Sequence, residues 1–140
     1  MPLFTQDKKV ESLRRAPLFE GLSKKDLVQL ARLTEDLEIP AGTVLTKEGE
    51  TGREFFVIVD GEAVVKRKGR RVATLGPGDF FGEIALVEHV PRRATVTTKT
   101  ALRCFLLTQQ SFLRVLDEQA GVERKVLRAL ARRVLALDGV

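Results

Sequence analysis

The run Gly82-Glu83-Ile84-Ala85-Leu86, followed a short loop later by Pro91-Arg92-Arg93-Ala94, holds the residues best suited to ligand chemistry in this chain. Gly82 ahead of a helix-compatible stretch predicts one helical turn, whose first N–H groups lack intrahelical partners and attract an anion. Arg92, held by Pro91 at the mouth of the next strand, can return to the same spot and grip a phosphate with its planar fork. Glu83 beside that anion is an acceptor only, which is unfavourable unless a hydroxyl or a cation lies between them. The set therefore suits a ligand with both phosphate and hydroxyl groups. On residue types alone, the simpler alternative is an ion pair between Glu83 and Arg92 that closes the loop. Gly76 and Gly78 do not open a dinucleotide fingerprint, because the next glycine falls at 82 rather than 81 and no long helix follows.

Other chemistries are short of residues. His89 and Cys104 are the single members of their types, too few for the ligand sets of zinc or facial-triad sites. Ser12, Ser23 and Ser111 lie outside any G-x-S-x-G elbow. The expectation is a protein that is not an enzyme, with no catalytic residue, no metal and no cofactor. A lone cysteine forms no internal disulfide, and neither a signal peptide nor a membrane span can be read, so a soluble, cytoplasmic chain is expected. Of the formal net charge of +5, most lies in residues 121–140, where five basic residues face two acidic ones. The basic positions Arg124, Lys125, Arg128, Arg132 and Arg133 read as a solvated helix face, which disfavours a nucleic-acid partner.

The elements that must position this segment can be drawn from periodicity. With 140 residues, 44% hydrophobic and 31% charged, one globular domain over residues 1–140 is expected. Eight of the eleven glycines lie between Gly42 and Gly82 and separate short β-branched or aromatic runs. Strands are expected over Thr43–Thr46, Glu54–Val59, Glu62–Lys66, Arg71–Leu75, Ala94–Thr98 and Leu102–Leu107, with tight turns at Asp60-Gly61 and Lys68-Gly69. Ser23-Lys24-Lys25-Asp26 matches a capping box opening a helix that carries Leu27, Leu30, Ala31 and Thr34, in a segment ended by Pro40-Ala41-Gly42. A shorter helix covers Val10 to Arg15. Thr108 caps a helical turn bearing Phe112, Leu113 and Leu116, and Gly121 precedes a last helix from Val122 to about Leu137. Val126, Leu127, Leu130, Val134 and Leu137 are read as one apolar stripe on it. The fold class is mainly β with flanking helices (α+β): an antiparallel β-roll or jelly-roll barrel, about residues 40–107, between N-terminal helices (about 7–36) and C-terminal lid helices (about 108–138).

The run Phe81-Gly82-Glu83-Ile84-Ala85-Leu86, then Pro91-Arg92 and Ala94-Thr95-Val96, resembles the phosphate-binding cassette of cyclic nucleotide-binding domains, here residues 81–96. The resemblance extends to Pro17-Leu18-Phe19-Glu20-Gly21-Leu22-Ser23, to Gly42-Thr43-Val44-Leu45-Thr46-Lys47-Glu48-Gly49-Glu50 and to Phe55-Phe56-Val57-Ile58-Val59-Asp60-Gly61-Glu62-Ala63, and covers roughly residues 10–137. It implies that Glu83 holds a ribose 2′-hydroxyl and that Arg92 pairs with the exocyclic oxygens of a cyclic phosphate. Gly82 lets the sugar approach the backbone, the amides of Ala85 and Arg93 complete the phosphate nest, and Ile84 and Ala94 belong to the same contact segment. Phe81, Val96, Val64 and Leu75 line the sugar and base side, with ordinary barrel core as the other reading of Val64 and Leu75. One position departs from the family: a small residue, often hydroxylated, usually follows the phosphate arginine, and here Arg93 stands there. The missing hydroxyl resembles the loss of a guanine-favouring contact, so cyclic AMP is expected ahead of cyclic GMP.

The implied function is a non-catalytic cyclic nucleotide sensor in which the C-terminal helix moves to cover the base, signalling to an effector that the sequence does not identify. Two alternatives stay open here. One is a nucleotide-blind interaction module, dimerising as a homodimer through the stripe on the last helix; the other is the sensor fragment of a DNA-binding transcription regulator.

Overall fold

The apolar run Phe55 to Val59 cannot alternate between core and solvent, so a strand built from it must be covered on both faces. The computed structural model, which describes residues 5–138, covers it with helices on one side and the interior of a roll on the other. In chain order the elements are α1 (Gln6–Arg14), a 3₁₀ turn (Pro17–Phe19), α2 (Lys24–Arg32), β1 (Glu35–Ile39) and β2 (Val44–Thr46). Then come β3 (Glu54–Asp60), β4 (Ala63–Arg67), β5 (Arg70–Leu75), β6 (Phe80–Phe81) and a second 3₁₀ turn (Glu83–Leu86). The chain continues through β7 (Thr95–Thr98), β8 (Leu102–Thr108), α3 (Gln109–Glu118) and α4 (Val122–Asp138). Two four-stranded antiparallel sheets result, in the orders β1-β8-β3-β6 and β2-β7-β4-β5.

Strands β3 and β8 divide the core. Phe55 and Val57, with Phe105 and Leu107, join Leu13, Leu18, Phe19, Leu27, Leu30, Phe112 and Val126 of the helical layer. Phe56 and Ile58, with Cys104 and Leu106, turn into the roll and meet Ala63, Val96 and Leu102. Two aromatic pairs follow from that alternation. Phe55 meets Phe80 among the helices, and Phe56 stacks on Phe81 inside the roll with ring centroids 4.8 Å apart.

Two helix caps follow the sequence: the Ser23–Asp26 capping box opens α2 with both reciprocal bonds made, and the Thr108 hydroxyl accepts from Ser111 N–H at 3.1 Å at the start of α3. The first helix begins earlier than expected, at Gln6 rather than Val10, because the Thr5 hydroxyl caps it. Gly121, at φ +93°, breaks α3 from α4 in a conformation that only glycine adopts without strain. Lys68 and Gly69, both at positive φ, turn the β4–β5 hairpin.

Three further expectations are corrected. The N-terminal helical segment stops at Arg32 rather than near residue 36, and Glu35–Ile39 forms β1 against β8, pairing Leu37 with Cys104. Three acidic residues in five disguise that strand, yet Leu37 and Ile39 pack against the roll while Asp36 turns to the helices. The second difference is the short strand β6, which appears within what reads as loop. Third, Leu127 lies off the stripe on the last helix, 59% exposed, whereas Val126 is buried.

Asp36 on β1 pairs with Lys9 on α1, with side chains 11% and 8% exposed. Two charges withdrawn from water together are tolerable as a pair and costly apart. Lys9→Met is expected to lower unfolding free energy in denaturant by about 3 kcal/mol, and Lys9→Met/Asp36→Leu to recover most of it. Equal losses in the single and double variants would show that the pair does not matter.

Candidate functional site

Strand pairing delivers the predicted segment to one end of the roll. β6 runs antiparallel to β3, with Phe81 opposite Phe56, and hands the chain to Gly82. At φ +87°, Gly82 turns the backbone into the 3₁₀ turn Glu83–Leu86. The Arg92 N–H donates to Glu50 O at 2.8 Å, and the Gly49 N–H donates to Arg92 O at 2.9 Å, so two β-type bonds to one neighbouring segment fix the backbone of the arginine.

The Arg92 side chain occupies a slot between two glycines. A Cβ at Gly52 would collide with the guanidinium, and one at Gly82 would collide with Glu54 O and sit 2.6 Å from Arg92 Nη1. Arg92 Nη2 donates to Glu54 O at 2.8 Å, and the Glu54 carboxylate lies 3.8 Å away. The side chain is only 10% exposed. Burial draws the guanidinium pKa below its ordinary value, and the Glu54 charge partly restores it. A guanidinium offers five N–H donors. The recorded protein acceptor takes one of them, which leaves a buried cation suited to a further anion.

Glu83 is also buried, and its partners are not those expected. Its Oε2 accepts from the Leu18 N–H at 2.7 Å, and its Oε1 pairs with Arg133 Nη1 of α4 at 2.7 Å. The ion pair that residue types suggested between Glu83 and Arg92 is thus replaced by two separate ones, Glu83 with Arg133 and Arg92 with Glu54. Arg133 supplies the cation that an acceptor-only group near an anion needs. The Ala85 N–H, expected in a phosphate nest, donates to Gly82 O at 3.1 Å. Gln109 Nε2 donates to Ala85 O at 3.0 Å and fastens the turn to α3.

A cavity of about 800 Å³ opens over these groups. Gly82, Glu83, Ile84, Ala85, Arg92, Arg93 and Ala94 all line it, as do Phe81, Leu75 and Val96. Val64 does not. Strand alternation turns it to the opposite face of β4, and Val65, opposite Val96 in the ladder, takes its place in the wall. The sequence reading also missed Gly52 and Glu54, whose roles rest on a contact 38 residues away in sequence. Arg67 joins the rim, donating through Nε to Arg93 O at 3.3 Å. From α4, Leu130, Arg133, Val134 and Leu137 form the cavity's far wall, one face of the helix by their spacing. α4 is tied down by Lys125 Nζ to Asp26 at 2.8 Å and by Arg132 to Glu20 at 3.4 Å.

Among the described residues no cluster of three or more His, Cys, Asp or Glu could hold a metal, and no helix is long and apolar enough to cross a membrane. Burial pushes the Cys104 thiol up to about 11, so the group stays protonated inside the roll.

An eight-stranded roll with a buried arginine under an apolar chamber, walled on one side by a C-terminal helix, is the architecture of a small-molecule-binding domain. The family profile described as cyclic nucleotide-binding domain matches residues 36–119, and the chain belongs to that family. The cAMP-dependent protein kinase regulatory subunit of Yarrowia lipolytica is 40% identical over 106 residues, covering 74% of this chain and 28% of that protein. A CRP-like cAMP-activated global transcriptional regulator of Mycobacterium tuberculosis is 28% identical over 129 residues, covering 89% of this chain and 58% of the regulator. The chain therefore spans less than a third of the kinase subunit. Among solved structures, the N-terminal domain of a transcriptional regulator from Streptomyces coelicolor superposes with TM-score 0.83 at 29% identity, over 92% of this chain and 96% of that one. The regulatory domain of Toxoplasma gondii PKA, crystallised with cAMP, gives 0.73 at 32% identity over 96% of this chain and 53% of that one.

The glycine slot makes a direct test. Gly52→Ala must move the guanidinium or the backbone, at a cost of about 1–3 kcal/mol, and should lower the melting midpoint by roughly 4 °C per kcal/mol. Gly76→Ala, where a Cβ meets nothing within 4 Å, should leave the midpoint unchanged. Equal midpoints for the two variants would refute the slot.

Proposed function

We propose that this chain is a non-catalytic sensor that binds cyclic AMP, and cyclic GMP more weakly, without any cofactor, and signals through α4. The observation that carries the reading is Arg92: a buried cation with donors to spare, locked in a glycine slot on the wall of a large and mostly apolar chamber. A cyclic phosphate supplies the missing anion, and a purine would fill the apolar remainder. The names of the kinase subunits and of the CRP-like regulator, and the cAMP held by the Toxoplasma domain, support the choice of nucleotide. Arg93, exposed and without a hydroxyl to offer guanine, supports adenine.

In this reading Glu83 accepts the ribose 2′-hydroxyl. Its Oε1 has two lone pairs and already holds Arg133, so a ribose there would share or displace that contact. Occupancy is in this way read directly by α4. Val134 and Leu137 line the chamber while 56% and 87% exposed, apolar surface that a base would cover. For α4 to switch, the ligand must prefer one helix position over another, since equal affinity for both shifts nothing. Three of the five residues of the stripe on the last helix, Leu130, Val134 and Leu137, line the chamber, which favours the sensor over a nucleotide-blind module. A cytoplasmic setting and a separate effector, kinase-like or transcriptional, belong to the same proposal.

Calorimetric titration should give saturable cyclic AMP binding, weakened by at least about a hundredfold in Arg92→Leu. Unchanged affinity in the folded variant would remove Arg92 from the site. Amide exchange across residues 130–137 should change on adding cyclic AMP and change less in Arg133→Leu; identical exchange with and without nucleotide would reject the coupling to α4.

A further inference from the structure

The hairpin between β4 and β5 reads Lys66-Arg67-Lys68-Gly69-Arg70-Arg71, five cations in six residues, all exposed. Sequence counts place the charge excess at the C-terminus, but folding redistributes it. Lys125, Arg132 and Arg133 of α4 meet Asp26, Glu20 and Glu83. Among the described residues, by contrast, no carboxylate lies within 4.0 Å of a side-chain nitrogen of the five hairpin cations. One carboxylate reaches the hairpin, that of Glu48, which accepts from the Lys68 backbone N–H at 2.9 Å, but it pairs with none of the five side-chain cations, and the hairpin remains a dense positive cluster.

Its cations also work against the hairpin that carries them. Arg67 stands directly opposite Arg70, and Lys66 opposite Arg71, two like-charge cross-strand pairs in succession. Lys68 holds φ +53° at a turn position that glycine, asparagine or aspartate fills more easily. Charge commonly guards an edge strand, and Arg70 and Arg71 on β5 can serve that role. Lys66 and Arg67 cannot, because they lie on β4, which is paired on both sides, by β5 and β7, so guarding leaves half of the cluster unexplained.

β5 is the last strand of its sheet, so the backbone donors and acceptors on its outer side have no strand partner among the described residues. A nucleic acid or an anionic membrane would engage only the charges. An extended acidic peptide engages charges and edge together: its backbone adds a strand to β5 while its carboxylates meet the arginines. We propose that the β4–β5 hairpin is a docking site for an acidic segment of a partner protein, bound by strand addition to β5. The argument for this surface does not depend on the nucleotide reading, although Arg67 and the β5 residues Val72, Ala73 and Leu75 also line the chamber.

The test uses a fluorescent peptide of alternating glutamate and valine, followed by anisotropy at low salt. Saturable binding is expected, with protection from amide exchange along β5. The affinity should fall at least about tenfold in Arg70→Glu/Arg71→Glu, less in Arg70→Thr/Arg71→Thr, and again when alternate peptide amides are N-methylated. Circular dichroism and cyclic AMP titration of both variants separate loss of this site from loss of the fold or of the nucleotide site. No saturable binding, equal binding by the charge-reversed variant, or equal binding of the N-methylated peptide would overturn the proposal. So would tighter binding to duplex DNA or to phosphatidylserine vesicles, each of which would reassign the patch.

Discussion

A buried carboxylate is among the more costly groups a small protein can hold, and the arrangement around Glu83 follows from meeting that cost. One oxygen takes the backbone N–H of Leu18, the other the guanidinium of Arg133. Three segments far apart in sequence are thereby joined at one side chain: the N-terminal 3₁₀ turn, the cassette and the last helix. Departure of α4 would strip the buried carboxylate of its counter-ion, and departure of the 3₁₀ turn would cost it a hydrogen bond, so the helical layer is held to the roll by electrostatics as well as by packing. The position of α4 is consequently set at the site itself.

The second charge of the site is handled differently. Arg92 is held sterically, by the absence of side chains at Gly52 and Gly82, and its recorded protein acceptors are Glu54 O and a carboxylate 3.8 Å off. One ion has a partner on each oxygen and ties elements together, while its neighbour is fixed in place with donors to spare. A site built this way can hold the fold without consuming the guanidinium donors suited to an anion.

Much of this was legible in the sequence. Glycine spacing marked the strands from β2 to β5, Ser23 and Thr108 marked two helix starts, and Gly82, Glu83, Ile84 and Ala85 with Arg92, Arg93 and Ala94 line one chamber. What stayed hidden shares one physical origin, dependence on partners distant in the chain. Glu35–Ile39 has poor strand propensity and becomes β1 because β8 offers it a ladder. Gly52 reads as one more turn glycine until Arg92 is laid across it. The partner of Glu83 is 50 residues away, and no local pattern distinguishes Arg133 from the other arginines of its helix. Val64 and Val65 are interchangeable by composition, and only the register against β7 decides which one faces the chamber.

The shared wall made by β3 has a consequence for how this chain can vary in length. Neighbouring residues there serve two compartments, Phe55 the helical layer and Phe56 the roll, and the same division recurs across the ladder at Phe105 and Leu106. Gaining or losing one residue in the middle of the strand would exchange the contents of the two compartments, because alternation inverts beyond the change unless a bulge absorbs it, as the register shift between Ile58 and Asp60 does at the strand's end. Changes in length are better tolerated at exposed hairpin tips such as Lys68-Gly69, where an added residue passes into solvent and leaves both compartments as they are.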